Sequence, residues 1–205
     1  MPAGRATPPG TQHHFGVLDL HFVAPGLAVG ASYPMEAAAR LAAEHGIARV
    51  VDVRVEACDD EAVLRLHGIR LLHLPTEDTR AVSQRMLRDG AEFVSEGLDA
   101  GEAVLVHCQY GIGRSALVAL CALVYRGVPP IAALAAAKRA RPVISPSPDQ
   151  LEALRRFSER IRLEREASWE VPSLQTLGEI AWRHLWHGDG APSGEEARAG
   201  STRRA

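Results

Sequence analysis

The chain has 205 residues, 46% of them hydrophobic, with 23 basic against 25 acidic side chains and a formal net charge of -2. That is enough apolar material for one packed domain and too little chain for a second of full size. The near balance of charge provides no large positive field, so nucleic acid and anionic membranes are not expected partners, and any anion recognition has to be local.

The opening MPAGRATPPGTQHH has no apolar core of a secretion signal, and no run approaches the ~20 apolar residues of a membrane helix. A soluble, cytoplasmic protein is expected. Residues 1–14 and 188–205 are rich in small and polar residues and bury too little to offset ordering entropy, which predicts disordered tails around a single domain over 15–187. From the N-terminal side, LAVG (27–30), IARVVDV (47–53), IRLLHL (69–74) and AVLVH (103–107) read as buried strands. Met35 to His45, Asp59 to His67 and Ser83 to Asp99 read as the helices between them, the last stopping at Gly101. This alternation predicts an α/β fold with a mostly parallel central sheet of about four to five strands flanked by helices, a three-layer domain.

Beyond residue 113 the pattern is helical: Arg114 to Tyr125, Pro130 to Arg139, and a long segment from Pro148. Ser147, Pro148 and Gln150 fit an N-cap, a first-turn proline and the third position of a capping box, while Leu151, Leu154, Phe157 and Ile161 form one apolar stripe. A last helix is expected over Ser173 to His187, with Trp182 and Trp186 four apart on a packing face. No internal repeat is visible.

The chemistry lies in VLVHCQYGIGRSA, residues 104 to 116, where an apolar strand ends at His107, a glycine-spaced loop follows and a helix begins. Such a loop turns backbone N–H groups inward at the positive end of a helix, which suits a phosphate-sized dianion. Gly111 and Gly113 permit close approach of the backbone, and the planar fork of Arg114 binds two oxygens at once. Cys108 opens the loop, so the same dipoles favour its thiolate and activate it without a separate base. Ser115 is placed to donate a hydrogen bond to the sulfur and improve it as a leaving group.

At these residues the sequence resembles the protein tyrosine and dual-specificity phosphatase superfamily, whose signature is His-Cys, five residues, Arg, then Ser or Thr; HCQYGIGRS fits at each defined position. The resemblance runs over roughly residues 25 to 160 and favours the dual-specificity branch, on GLAVGASYP near the start and QLEALRRF near the end. It implies that His107 buttresses the loop, Cys108 attacks phosphorus, Gln109, Tyr110, Gly111, Ile112, Gly113 and Arg114 bind phosphate, and Ser115 assists the second step. It also implies a general-acid aspartate about thirty residues before the cysteine, and LPTEDTRAVS places Asp78 there, with Glu77 as a rival. Through this resemblance the chain is expected to hydrolyse phosphotyrosine, with phosphoserine and phosphothreonine as further candidate substrates, through a phosphocysteine intermediate. Competing readings are a module that binds phosphoproteins without turnover and a sulfurtransferase-like cysteine enzyme.

The five residues between Cys108 and Arg114 carry no lysine or arginine, which favours a monophosphate in a shallow cleft over a polyphosphate. Arg54, Arg80 and Arg141 lie in loops able to border that cleft. Cys121 reads as core, and Cys58 as structural, with a reversible disulfide to Cys108 as the alternative that the resemblance raises. Three cysteines without a CxxC pair argue against a disulfide framework or a zinc site. His13, His14, His184 and His187 read as solvent residues. No metal and no cofactor are expected, the partner is a phosphorylated protein or peptide, and the chain is expected to be a monomer. High Ala, Arg, Gly and Pro suggest a GC-rich bacterial genome.

Overall fold

The structure is a computed structural model and describes residues 17–183. The tails expected at 1–14 and 188–205, the four histidines named above and Trp186 lie outside the described residues. Strand β1 (Leu20–Ala24) turns through Pro25 and Gly26 into β2 (Leu27–Gly30), and the two pair antiparallel. Then follow a 3-10 turn at Met35–Ala37, α1 (Ala38–His45), β3 (Ile47–Arg54), α2 (Glu61–Leu66), β4 (Arg70–Thr76), α3 (Gln84–Asp99) and β5 (Ala103–His107). Helices α4 (Arg114–Tyr125), α5 (Pro130–Ala140), α6 (Pro148–Glu164) and α7 (Leu174–Ala181) complete the domain.

The strands lie in the order β1-β2-β5-β3-β4, with all pairs parallel except the β1 edge. The expected fold class is therefore observed, with one strand more than the four read from the sequence. β1 was missed because His21 and Phe22 are exposed, so its pattern is that of a thinly covered edge. The last helix is shorter than expected among the described residues: it ends at Ala181, and Trp182 caps it while donating its indole N–H to Pro146 O at 3.0 Å.

Side chains alternate across the sheet, as the strand period of two requires. Val104 and Val106 of β5 join the larger core beneath α3 to α7, whereas Leu105 joins the smaller core beneath α1 and α2. Helix α4 is buried at every position from Arg114 to Val124. That explains its apolar composition on all sides and makes it the rigid mount for whatever stands at its N-terminus. The C-terminal ends of the parallel strands gather at one edge, where Gly30, Asp52 and His107 sit in register. In open α/β sheets this edge is where ligands bind.

Candidate active site

Residues 108–113 span from the end of β5 to the start of α4 at that edge. Gly111 takes φ +66°, and a Cβ there would lie 2.6 Å from the backbone of Gly30, so only glycine allows the loop to close against β2. Cys108 is buried, with Sγ 3.3 Å from Ser115 Oγ. Burial pushes the thiol up. Hydrogen bonds from the Ser115 hydroxyl and from the N–H groups of Ser115, Tyr110 and Gly111 more than offset it, and the thiol is held below its usual range. Gly113, the residue before α4, offers no side-chain cap, which leaves first-turn N–H groups open to an anion.

Arg114 is almost wholly buried, and its fork is already engaged. Nη1 and Nη2 donate to the two carboxylate oxygens of Glu56 at 2.8 Å each, and Nη1 also donates to Thr76 O at 2.9 Å. Its Nε is ion-paired with Asp78 Oδ1 at 3.2 Å but makes no hydrogen bond, so one buried guanidinium donor is left without a hydrogen-bond partner. The Arg114 fork holds the Glu56 carboxyl down to about 2. Nothing in the spacing of the sequence singled out Glu56. It is found only when the chain end of β3 is seen beside α4.

His107 is fully buried and rests on a polar network: its Nε2 is 3.0 Å from Asp59 Oδ2, which also accepts from Tyr33 Oη at 2.5 Å. Burial pushes the Asp59 carboxyl up, but the His107 and Tyr33 bonds and the Arg54 charge hold it below the usual carboxylate range. Arg54 donates Nε and Nη2 to Asp52 at 2.9 Å and Nη2 to Asp59 at 2.7 Å. It is thus a buried counter-ion and does not border the cleft. Arg141 is likewise buried, beneath the loop, with its Nε 2.9 Å from Gly111 O. Only Arg80 of the three arginines is exposed, 3.6 Å from Asp149.

A pocket of about 150 Å³ is lined by Asp78, Thr79, Cys108, Tyr110, Ile112, Gly113, Ser145, Ser147 and Gln150. Asp78 thus faces the pocket that holds Cys108, and Glu77 does not line it. The loop of Asp78 is held by the start of α6: Ser147 Oγ donates to Thr79 O at 2.6 Å and Gln150 Nε2 to Arg80 O at 3.0 Å. The same two residues close the capping box of α6, so one device ends a helix and fixes the acid loop. Tyr110 and Ile112 are partly exposed at the mouth, and no lysine or arginine lines the pocket.

All three cysteines are free thiols. Cys121 is fully buried in α4, and burial alone pushes its thiol well up. Cys58 donates to Asp59 O at 3.4 Å and lies with Asp52 and His73 in one group of donor atoms; Asp52, Asp59 and His107 form a second. In both, the two Asp52 carboxylate oxygens already accept from the Arg54 guanidinium at 2.9 Å each.

The family model for the catalytic domain of dual specificity phosphatases matches residues 31–160. Among solved structures, the chain is similar to Tk-PTP in its active form, at 27% identity and a TM-score of 0.64 over 69% of this chain and 97% of that one. It is similar to PTPMT1 in complex with PI(5)P, at 25% identity and a TM-score of 0.67 over 71% and 98%. Human DUSP28 gives 28% identity and a TM-score of 0.63 over 71% and 99%. No curated protein sequence matches the chain.

Proposed function

The chain belongs to the dual specificity phosphatase family and is a cysteine-dependent phosphatase, and from that premise we propose that it removes phosphate from protein side chains, phosphotyrosine above all. The observation that carries this reading is the arrangement around Cys108: a thiol held below its usual range, an Arg114 Nε that makes no hydrogen bond and faces Asp78 at 3.2 Å, and Asp78 in the lining of the pocket that holds the sulfur.

In the first step the Cys108 thiolate attacks phosphorus, the P–O bond to the side chain breaks, and protonated Asp78 gives its proton to the leaving oxygen. A phosphate oxygen takes the place of Asp78 at Arg114 Nε, and inward N–H groups of residues 110 to 113 hold the others. In the second step Asp78, now a carboxylate, takes a proton from water; the water oxygen bonds to phosphorus, the P–S bond breaks, and phosphate leaves. The Ser115 hydroxyl, 3.3 Å from the sulfur, stabilises the thiolate that is released.

Substrate class follows from charge. Glu56 offsets much of the Arg114 charge and no lysine or arginine lines the pocket, so one phosphate is accommodated at Arg114 and a second has no counter-ion. Tyr110 and Ile112 at the mouth supply an apolar frame for an aromatic ring. PTPMT1 has been seen with PI(5)P, so a phosphoinositide is the comparison to run. With reductant and without metal, wild-type protein is expected to hydrolyse a phosphotyrosine peptide faster than PI(5)P in vesicles, with turnover lost in Cys108→Ser. Faster hydrolysis of the vesicle lipid would overturn the protein-substrate reading.

A further inference from the structure

Four consecutive carbonyls of the Cys108 loop are bonded from outside it. Gln109 O accepts from Ser32 N at 3.2 Å and Ser32 Oγ at 3.3 Å, and Ile112 O accepts from Ser145 N at 3.0 Å. Between them, Tyr110 O accepts from Arg141 Nη2 at 3.1 Å and Gly111 O from Arg141 Nε at 2.9 Å. In a planar trans peptide unit the C=O and the next N–H point in opposite directions. Drawing these carbonyls outward therefore turns the N–H groups of Tyr110, Gly111, Ile112 and Gly113 inward. Tyr110 and Gly111 N–H are indeed among the groups bonded to the Cys108 sulfur.

The outer bonds at Gln109 and Ile112 come from two separate segments, through the N–H and hydroxyl of Ser32 and the N–H of Ser145, whereas the two in the middle rest on one buried side chain. The remaining donors of Arg141 are taken by Asp19, at 2.5 and 2.8 Å, and by His21 Nδ1 at 2.9 Å. Asp19 stands just before β1 and outside the stretch matched by the family model. Its carboxylate is the counter-charge of a guanidinium that would otherwise be a buried cation.

We propose that the Asp19–Arg141 pair is a positioning device for the catalytic loop, holding the Tyr110 and Gly111 carbonyls outward so that the following N–H groups face Cys108 and the phosphate. Removing the Asp19 charge releases Arg141 toward solvent beside His21 and lets the two peptide units rotate. A lysine at 141 cannot replace the fork, because one ammonium cannot span two carbonyls and a carboxylate in that plane. The inference rests on the reading of Cys108 as the nucleophile, but its test does not require turnover.

The experiment compares wild type, Asp19→Asn and Arg141→Lys by the pH profile of iodoacetamide alkylation at Cys108, read by peptide mass spectrometry, and by vanadate affinity, with melting as the control for folding. In folded Asp19→Asn the alkylation midpoint is expected to move to higher pH and vanadate to bind about tenfold more weakly, the scale of one lost charged hydrogen bond. Arg141→Lys is expected to lose about 10²-fold, the scale of a misplaced site. A folded Asp19→Asn with an unmoved midpoint and vanadate affinity within twofold of wild type overturns the proposal, as does failure of Asp19→Asn to fold, which makes the pair structural. If Arg141→Lys alone fails to fold, Asp19→Asn decides. A wild-type protein with no turnover sinks the phosphatase reading instead, while alkylation and vanadate binding still decide this one.

Discussion

At the scale of single residues, the site is a contest between burial and hydrogen bonding at one sulfur. Burial of Cys108 favours the neutral thiol, and Ser115 leads the groups that reverse this. Because the folded thiol lies below its usual range, activity is expected above that lowered value and is lost as pH falls through it. Ser115→Ala removes the leading contribution, so the acid limb of the kcat/KM profile is expected to move to higher pH, and phosphocysteine breakdown to slow enough for a burst of the first product. An unmoved acid limb would assign ionisation of the thiol to the backbone N–H groups alone. Asp78 is tested by leaving-group dependence. Asp78→Asn is expected to lower kcat by ~10²–10⁴ for a phosphotyrosine peptide and much less for an aryl phosphate whose leaving oxygen needs no proton. Equal losses on both would mean that Asp78 acts on Arg114, 3.2 Å away, and not on the leaving group.

At the scale of elements, what the sequence made legible was what local pattern encodes. The strand-loop-helix at 103–125 and the capped start of α6 stand where the apolar periods and cap residues put them. β1 escaped because its exposed His21 and Phe22 break the apolar pattern, although the Pro25-Gly26 turn, with Gly26 at φ +73°, was a hairpin signal in plain view. Contacts between distant segments were not legible in the same way. Glu56 meets Arg114 across 58 positions, and Arg54 and Arg141 look like rim residues in sequence but are drawn inward by Asp52, Asp59 and Asp19. The cap of α6 shows the same limit, since its grip on the acid loop depends on where β4 delivers Thr79 and Arg80. Ser147→Ala is therefore expected to cost about 0.5–2 kcal/mol of stability as a lost N-cap and, beyond that, to lower kcat by freeing Thr79. The check is kcat measured well below the melting range: a stability loss with unchanged kcat would leave Ser147 a helix cap only.

At the scale of the whole molecule, the division of labour is between a sheet that brings chain ends together and a central helix that fixes the loop against them. Helix α4 is packed between the sheet and the helices α3, α5 and α6, so its core residues set stability while its first turn sets chemistry. Leu120 is fully buried and lies in the second turn, away from the pocket lining. Leu120→Ala is expected to cost about 2–5 kcal/mol through lost burial and an unfilled cavity. For a domain of this size each kcal/mol moves Tm by about 2–4 °C, which predicts a fall of roughly 4–20 °C. Below the new transition, the rate of Cys108 alkylation per folded molecule is expected to match wild type, because the loop is held from the strand ends as well as from α4. If that rate drops in step with stability, the loop has no independent support, and the outer bonds from Ser32, Arg141 and Ser145 do not act as a frame.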